Sequence, residues 1–382
     1  MPSPNLMPSS PLFPRPKRLA LAAGVVTAVS VGLAYQFALK YRERVGQPHR
    51  SPVEGSPADF GLAFESVEIP SGDARLAAWF VPAEGSNDSD PIRPGPAVAI
   101  VHGWESNRGR SMAHIRYLHA AGFHCLVIDV RGHGDNPPEA LPVNVPEFGE
   151  DAASAARWLA ARPEVSAVGL LGHSMGGAGV IVAAAAEPAV TAVVALSSPA
   201  DLVRMTRKTF EMAELQVPGA IATPLAYLTA AVLLIPRRHS IDDASASVAA
   251  TRYRGPLLLM HGEDDRGVPV EHLGLIAQAA RRARTDPGSA PVETLILPGY
   301  GHRWLYEDAE ARRRTASFLA KELGGPVAPD QAGELAAACV VARPENPVYG
   351  FGAASTAVAA EAVIRERARR EAREEAGRPP RD

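Results

Sequence analysis

Short runs of apolar residues alternate with amphipathic stretches through the middle of the chain. Six runs have the length of a buried strand, at 97–101, 125–128, 168–171, 190–196, 256–260 and 292–297. Stretches that favour helix separate most of them, at 110–121, 150–161, 177–186 and 270–284, and a closing helix follows at 307–323. Strands that are apolar throughout and alternate with helices are typical of a parallel sheet covered on both faces. The pattern therefore predicts an α/β fold with a mostly parallel sheet.

A two-stranded hairpin is predicted ahead of this alternation. Residues 64–69 alternate with period two, 70–73 are turn residues, and 75–81 form a second strand. We therefore place the globular domain at residues 62–323, from the start of the hairpin to the end of the closing helix.

Residues 201–250 interrupt the alternation of strands and helices. The stretch 204–215 is amphipathic, and 218–235 is strongly apolar and contains two prolines. We interpret the region as a helical cap inserted over the sheet edge, whose exposed apolar face would suit an acyl or other lipophilic substrate. A second membrane span over 225–235 is the alternative, but that run is short for a span and basic residues follow it at once.

The amino-terminal region is expected to be separate from the fold. Residues 1–18 are rich in Pro and Ser and end in basic residues, and residues 19–39 then run without a charge. A helix of that length spans roughly 30 Å, the thickness of a bilayer core, so we predict a single membrane anchor. A cleaved signal peptide is the alternative, although the run is long for one. Basic residues flank both ends, which leaves the orientation open, and residues 40–61 are interpreted as a tether.

The carboxyl-terminal region, residues 324–382, departs from the strand–helix pattern. Residues 324–347 are rich in Pro, Gly and Ala and are predicted to be a linker. Residues 357–376 favour a helix with Arg and Glu at i,i+4 spacing. This charged tail is either solvated or a partner-binding helix, and the sequence does not decide between the two.

Composition narrows the class of protein. The chain has 382 residues, 46% of them hydrophobic, and a formal net charge of −3, which is ordinary for a globular protein. Basic and aromatic residues do not interleave along a stripe, so no nucleic-acid partner is expected. The two cysteines, Cys125 and Cys339, give no basis for a disulfide framework. Neither C-x-x-C nor H-E-x-x-H occurs, so no protein-bound metal is predicted.

The candidate chemistry centres on Gly172-His173-Ser174-Met175-Gly176, a G-x-S-x-G sequence between an apolar strand and a helix of small residues. A tight turn from strand to helix needs glycines, and it pushes the serine Oγ out at the top of a sheet. The start of the following helix also favours developing negative charge. The motif alone recurs by chance, but its strand-to-helix context makes Ser174 a candidate nucleophile.

Candidate partners for this serine follow it along the chain. A serine hydroxyl is a weak nucleophile and needs a base, which in turn needs an acid to orient it. The acid could be Glu263, Asp264 or Asp265, which follow a strand. Of the two later histidines, His272 lies in the first turns of a helix and is interpreted as solvated. His302 lies in a Gly-rich loop after the last strand, so it is predicted to be the base.

The motifs in this order resemble the serine hydrolases of the α/β-hydrolase superfamily. The resemblance covers roughly residues 62–323 and rests on His102-Gly103-Trp104, Asp129-Val130-Arg131-Gly132-His133-Gly134, the Ser174 turn, and Gly262-Glu263-Asp264-Asp265-Arg266-Gly267-Val268-Pro269 followed by His302. In similar enzymes the acid stands three residues after the glycine and three before Val-Pro, which implies Asp265, with Asp264 as second choice. The resemblance also implies an oxyanion hole formed by the backbone N–H groups of Trp104 and Met175.

The resemblance excludes some reactions of the superfamily. Epoxide hydrolases and haloalkane dehalogenases carry Asp at the nucleophile position, which here is Ser174. No G-x-G-x-x-G fingerprint follows the first parallel strand, so no cofactor is expected.

Several other polar residues are predicted to be structural. Four histidines are expected to hold turns by hydrogen bonds, and one aspartate and one arginine are expected to brace a strand end. These residues are His102, His133, His173 and His261, together with Asp129 and Arg131.

We therefore expect a membrane-anchored serine hydrolase that cleaves carboxylic esters through an acyl-enzyme, with a small-molecule or lipid-like ester as substrate. A thioesterase or a serine peptidase would use the same triad. The alternative from another class is a membrane-tethered binding module without turnover, against which the intact triad positions argue. The oligomeric state is left open.

Overall fold

The structure is a computed structural model that describes residues 16–83 and 94–341. The Pro-rich residues 1–15 and the predicted helix at 357–376 lie outside the described residues. The strands are β1 (Glu65–Ser71), β2 (Ala74–Val81), β3 (Gly95–Val101), β4 (His124–Ile128), β5 (Val165–His173), β6 (Val190–Leu196), β7 (Leu257–Gly262) and β8 (Val292–Leu297).

These strands form one sheet in the order β1-β2-β4-β3-β5-β6-β7-β8. β2 pairs antiparallel with β1 and with β4, and the strands from β3 to β8 run parallel to one another. Near the carboxyl ends of the strands, Val101 pairs with Ile128 and Gly172, and His173 pairs with Leu196. The mostly parallel α/β sheet predicted from the apolar runs is confirmed, and the loops that carry the candidate site leave it along one edge.

Helices cover both faces of the sheet. They are α1 (Pro16–Val45), α2 (Met112–Ala120), α3 (Val145–Ala160), α4 (Met175–Ala186), α5 (Leu202–Met212), α6 (Gly219–Leu234), α7 (Ala246–Arg252), α8 (Glu271–Ala283), α9 (Ala309–Leu323) and α10 (Pro329–Ala338). Helices α3, α4, α7 and α8 pack on one face, and α2, α9 and α10 on the other. In β3, Ala99 faces the first layer while Val98 and Ile100 face the second, because side chains alternate across a strand.

Helix α3 begins at Val145, ahead of its predicted start at Glu150. The Asn144 side chain accepts the Val145 N–H at 3.1 Å, and the Glu147 carboxylate accepts the Asn144 N–H at 2.7 Å. Pro146 fits in this first turn because a helix start needs no N–H there. Apolar spacing alone misses this turn, since its residues act through caps rather than through burial.

The predicted cap region contains α5, α6 and α7. Helix α7 packs against α4 and α8, so it belongs to the helical layer on the sheet. Helices α5 and α6 pack on each other beyond the sheet edge. The stretch Gly219–Arg237 is long and apolar enough to cross a membrane, and 33% of its most apolar part is buried inside the fold.

Helix α1 is not separate from the fold, which corrects the expectation drawn from the sequence. It continues past residue 39 to Val45 and packs against α6. Ala38 is fully buried, and the rings of Phe37 and Tyr41 contact Phe210 of α5 with centroids 5.7 and 6.0 Å away. A run of apolar residues predicts a helix but does not show which neighbour the helix meets.

The segment predicted to be a tether also contacts the domain. The His49 N–H donates to the Glu105 carboxylate at 3.0 Å. The Asn107 side-chain amide donates to the carbonyls of Ser51 and Pro52 at 3.1 and 2.9 Å. These bonds fix the loop that follows β3.

Residues 329–338 fall in the predicted linker but form helix α10, which packs on α9. Ala332 and Ala336 are fully buried there. The Arg312 guanidinium donates to the carbonyls of Ala336 and Ala337 at 2.9 and 2.7 Å. Small residues give a weak hydrophobic pattern along the chain, although they let two helices approach closely.

Candidate active site

Ser174 lies on the sharp turn between β5 and α4. Its backbone has φ 57° and ψ −122°, a region that residues other than glycine rarely adopt. Its N–H donates to the Leu196 carbonyl at 2.8 Å, which holds the turn against β6. A Cβ at Gly172 would lie 2.2 Å from the Gly176 carbonyl oxygen, and one at Gly176 would lie 2.3 Å from the His102 oxygen. The two glycines are therefore required by close backbone packing.

The side chains of Ser174, His302 and Asp265 form a continuous hydrogen-bonded row. His302 Nε2 lies 2.9 Å from Ser174 Oγ, and His302 Nδ1 lies 2.7 Å from Asp265 Oδ2. The three residues follow β5, β8 and β7, whose carboxyl ends share one edge of the sheet. Because the carboxylate accepts from Nδ1–H, Nε2 is left to accept the serine proton. The row can therefore pass a proton from hydroxyl to imidazole.

The Asp265 carboxylate is stabilised in its charged form. Burial raises the pKa of Asp265, but hydrogen bonds from His261 and His302 outweigh burial and hold that pKa below its usual range. Backbone N–H groups of Gly267 and Val268 also donate to Oδ1, at 2.9 and 2.8 Å. At neutral pH the carboxylate is an anion facing the imidazole.

Of the three candidate acids, Asp265 is the one that contacts the imidazole. Glu263 and Asp264 are exposed, and the Asp264 N–H donates to the Tyr300 carbonyl at 2.9 Å. The acid that contacts the imidazole is the first choice taken from the superfamily resemblance, and its catalytic role stays a prediction. The residues alone did not separate the three acids, because all follow the same strand.

His272 corrects a second expectation. It is buried rather than solvated, and its Nδ1 accepts the N–H of Ala200 at 2.9 Å. Burial lowers the pKa of His272. The sequence predicts that this residue lies in the first turn of a helix. It does not reveal that the loop after β6 packs over that turn.

Trp104 and Met175, the predicted oxyanion-hole residues, both lie beside Ser174. Met175 opens α4, where the first N–H groups have no partner inside the helix. A Cβ at Gly103 would lie 3.1 Å from the Ser174 Cβ, so the loop after β3 passes directly over the serine. The role of the Trp104 and Met175 backbone N–H groups as oxyanion donors stays a prediction.

The four histidines predicted to be structural each donate to a backbone carbonyl. The pairs are His102 with Gly103 (2.7 Å), His133 with Arg131 (2.9 Å), His173 with His302 (2.7 Å) and His261 with Val268 (2.8 Å). Burial lowers the pKa of His173 to about 3, so this ring is neutral at physiological pH and fixes the His302 backbone. Among residues 16–83 and 94–341, no group of three or more His, Cys, Asp or Glu side chains could hold a metal ion.

Two buried acids brace the loops under the site. Asp129 accepts the N–H groups of Arg108 and Asp135 at 2.6 and 3.0 Å and pairs with the Arg108 guanidinium. Arg131 and Asp151 form a buried ion pair at 2.6 Å. Removing one partner would leave a buried charge uncompensated, so these residues hold the loops rather than reach substrate.

Two clefts meet at Ser174. The first, here named the His302 cleft, encloses about 880 Å³ up to its open mouth. Polar and aromatic side chains line it, including His302, Arg110, Trp304 and Tyr306. Its chemistry suits a polar or aromatic group next to the reacting bond.

The second cleft, here named the α1 cleft, encloses about 980 Å³ up to its mouth and is mostly apolar. Tyr41 and Val45 of α1, Met205 of α5 and Leu233 of α6 line it together with Ser174. Sequence reasoning missed the α1 residues. No pattern in the chain places the end of the amino-terminal helix beside Ser174.

Comparison with known proteins accounts for the arrangement. A family model described as "Serine aminopeptidase, S33" matches residues 93–239. The structure superposes on an esterase from Pyrococcus furiosus, Pf2001, with a TM-score of 0.57 and 21% identity, over 74% of this chain and 99% of the other. The structure therefore has the α/β-hydrolase fold, and residues 93–239 are similar to the serine aminopeptidase family.

The chain also matches other proteins, each over part of its length. It is 27% identical to the human protein ABHD12B over 239 residues, which are 60% of this chain and 62% of the relative. It thus spans less than two thirds of that relative's length. It is 26% identical to the uncharacterized protein Rv2307c of Mycobacterium tuberculosis over 280 residues, 73% of this chain and 86% of the relative. Porphyromonas gingivalis dipeptidyl peptidase 4 shares the fold, with a TM-score of 0.51, 20% identity, and 68% of this chain and 36% of the peptidase covered.

Proposed function

We propose that this hydrolase cleaves carboxylic esters by transferring the acyl group to Ser174, with His302 as base and Asp265 as the acid that orients it. The observation that carries the proposal is the unbroken hydrogen-bonded row from the serine hydroxyl through the imidazole to the carboxylate. A serine without such a base is a poor nucleophile at neutral pH.

The reaction would proceed in two displacements. Ser174 Oγ attacks the ester carbonyl while its proton passes to His302 Nε2. The ester bond then breaks, and the alcohol leaves with that proton. A water molecule next gives its proton to His302 and attacks the acyl-enzyme, which releases the carboxylic acid and restores the serine. Asp265 stabilises the imidazolium in both steps and keeps its own negative charge.

The tetrahedral intermediates carry a negative oxygen, which needs donors already in place. The backbone N–H groups of Trp104 and Met175 are proposed as these donors, since both residues border Ser174. The helix start at Met175 adds a favourable partial positive charge. Loss of one such donor typically costs about 10²–10³ in kcat.

Two observations favour an ester over the other acyl substrates. An apolar cleft opens directly at the serine, and the Pf2001 relative in fold is described as an esterase. The match to a serine aminopeptidase family favours a peptidase as the second candidate. Both would use the same three residues, so only substrates separate them.

We further propose that residues 19–39 anchor the enzyme in a membrane. Large apolar side chains of α1 are exposed in the folded chain, including Leu21 (70%) and Leu33 (67%). Large apolar side chains exposed along one helix would be covered by lipid in a membrane. Arg42 and Arg44 follow the apolar run and would lie at the bilayer interface.

The deciding experiment is fluorophosphonate labelling of the full-length protein in detergent. We expect rapid labelling that Ser174→Ala abolishes and His302→Ala slows strongly; turnover of an ester should fall by about 10⁶ in either variant. Ser289→Ala and His49→Ala are matched controls, because both side chains are exposed and away from the row. A folded wild-type protein that does not react, or equal labelling of Ser174→Ala, would contradict the proposal and favour a binding module without turnover.

A panel of substrates then separates the candidates. Matched p-nitrophenyl ester, thioester and aminoacyl anilide substrates present the same acyl group with different leaving groups. We expect the highest kcat/KM on the ester. A higher value on the aminoacyl anilide would assign the triad to a peptidase.

A further inference from the structure

The amino-terminal helix contributes residues to the surface that surrounds the nucleophile. Tyr41, Arg44 and Val45 of α1 line the same cleft as Ser174 and Met175. An anchor that only tethered the enzyme would leave the nucleophile's surroundings to the hydrolase domain itself. Here the helix that carries the apolar run ends beside the reacting atom.

Several contacts hold α1 in this position. The ring of Phe210 packs edge-on against the rings of Phe37 and Tyr41. Ala38 is fully buried between the helices, and the Arg42 guanidinium donates to the Val232 carbonyl of α6 at 3.5 Å. The side of the cleft formed by α1 is thus held in place by packed helices.

The chemistry of the α1 cleft is that of an aliphatic chain site. Val45, Leu202, Met205 and Leu233 come from three different helices and face one space. Methionine and branched aliphatic side chains pack well against methylene groups but offer little to a polar ligand. The burial of each methylene there would be worth about 0.8 kcal/mol.

The cleft is also close to the surface that would contact lipid. α1 and α6 pack side by side, and both expose large apolar side chains away from the cleft, among them Val29 (55%) and Ile221 (54%). Arg44, at the cleft, follows the apolar run by five positions, where basic side chains reach the headgroup region of a bilayer. A chain leaving the bilayer along α1 would meet the cleft without crossing water.

We propose that the α1 cleft binds the aliphatic acyl chain of an ester drawn from a lipid surface, with helix α1 as a wall that sets chain-length preference. The inference rests on the proposed esterase function and adds its substrate class. The carbonyl carbon lies at Ser174, the chain extends between α1, α5 and α6, and the leaving alcohol occupies the His302 cleft. Hydrolysis then yields a fatty acid and that alcohol, with the alcohol's proton supplied by His302.

The test compares p-nitrophenyl acetate with p-nitrophenyl dodecanoate on the full-length protein in phosphatidylcholine vesicles. Wild type is expected to prefer the long ester by about tenfold or more in kcat/KM. Val45→Trp and Met205→Trp fill the cleft from two different helices. Each should lower kcat/KM for dodecanoate about tenfold or more while acetate changes less than about twofold.

Leu33→Trp is the matched control, because Leu33 lies on α1 but outside the cleft. It should change neither ester. Equal losses on both esters, or an unchanged long-chain preference in both cleft variants, would overturn the inference. If instead the wild-type protein hydrolyses neither ester and resists fluorophosphonate, the proposed esterase function itself is wrong, so the two failures are distinguishable.

Discussion

At the residue scale, the backbone of Ser174 is held in an unfavourable conformation. A residue other than glycine at φ 57° costs on the order of 1–3 kcal/mol in conformational free energy, and contacts in the folded protein have to offset this cost. The bond to Leu196 and the tight packing of Gly172 and Gly176 do so. The result is a hydroxyl held against His302 in the free protein, which would lower the reorganisation needed for the proposed attack on an ester.

Asp265→Asn is predicted to change the pH dependence of stability as well as turnover. The folded pKa of Asp265 lies below its value in the unfolded chain, about 3.9. The carboxylate therefore stabilises the fold above that pH, and the contribution is lost as the pH falls towards the folded pKa. We expect the difference in unfolding free energy between wild type and Asp265→Asn to shrink once the pH falls below about 3.9, by up to about 1.4 kcal/mol per pH unit.

Urea denaturation at pH values from 6 to 3 measures this difference. Asp264→Asn is the control, because that neighbouring side chain is exposed. A gap between wild type and Asp265→Asn that stays constant over the range would contradict the assignment. Turnover of Asp265→Asn should fall by about 10⁴, as expected when the imidazole loses the partner that fixes its tautomer.

How far the site could be predicted from sequence differs from residue to residue. Ser174 and His302 could be proposed from the sequence because each follows an apolar run, and parallel strands bring their carboxyl ends together. The burial of His272 could not be predicted from the sequence, since it depends on a loop that packs over the helix. Tyr41 and Val45 were missed for the same reason: their position beside the serine is a tertiary fact.

At the scale of elements, the strand–turn–helix unit around the serine depends on glycine at defined places. Gly176 lies in α4 with backbone of the neighbouring loop against it, whereas an added Cβ at Gly274 in α8 meets no heavy atom within 4 Å beyond its own helix backbone and chain neighbours. Both glycines are helical, but only Gly176 lacks space for a methyl group. Substitution by alanine is therefore expected to have opposite effects on stability at the two positions. This contrast separates the need for space from the helix preference of alanine.

Gly176→Ala is expected to destabilise the protein by about 1–3 kcal/mol or more, because the added methyl collides with backbone that cannot move alone. Gly274→Ala is expected to stabilise it by about 0.5–1 kcal/mol, through reduced freedom of the unfolded chain. Chemical denaturation of both variants tests the pair. A neutral Gly176→Ala variant would show that the turn can relax, against the close packing described above.

The strands and most helices followed from periodicity because their burial repeats along the chain. The runs 190–196 and 292–297 match β6 and β8 to the residue. Elements held by small residues or caps were harder to predict. Helix α10 buries alanines, and the first turn of α3 is fixed by Asn144 and Glu147, so neither produces an apolar pattern.

At the scale of the whole molecule, α1 joins an exposed apolar surface to the candidate site. The upper part of the helix exposes apolar side chains and its last turns are packed against α5 and α6. The proposed membrane attachment and the shape of the α1 cleft therefore depend on one element. A change in how α1 sits in a membrane would alter the shape of the cleft, and a change in the cleft would alter the position of α1.

We predict that the full-length protein stays with membranes after alkaline carbonate extraction and that its intact mass includes residues 19–39. Aspartate at Val25, Val29 and Leu33 together should release it, since each central charge costs about 2.5–3.5 kcal/mol on insertion. All three side chains are exposed in the fold, so folding should survive. A mass lacking these residues would show a cleaved signal peptide, and membrane retention of the triple variant would place the anchor elsewhere.

The bonds between the amino-terminal segment and the loop after β3 bear on where this chain can be divided. The His49 N–H and the carbonyls of Ser51 and Pro52 hold Glu105 and Asn107, immediately beyond Trp104. A protein trimmed to begin at residue 62, where the strand pattern starts, would retain all eight strands and all three residues of the hydrogen-bonded row. It would nevertheless lose the bonds that steady the loop over the serine. The shortest piece that keeps the sheet is thus smaller than the shortest piece that keeps the site.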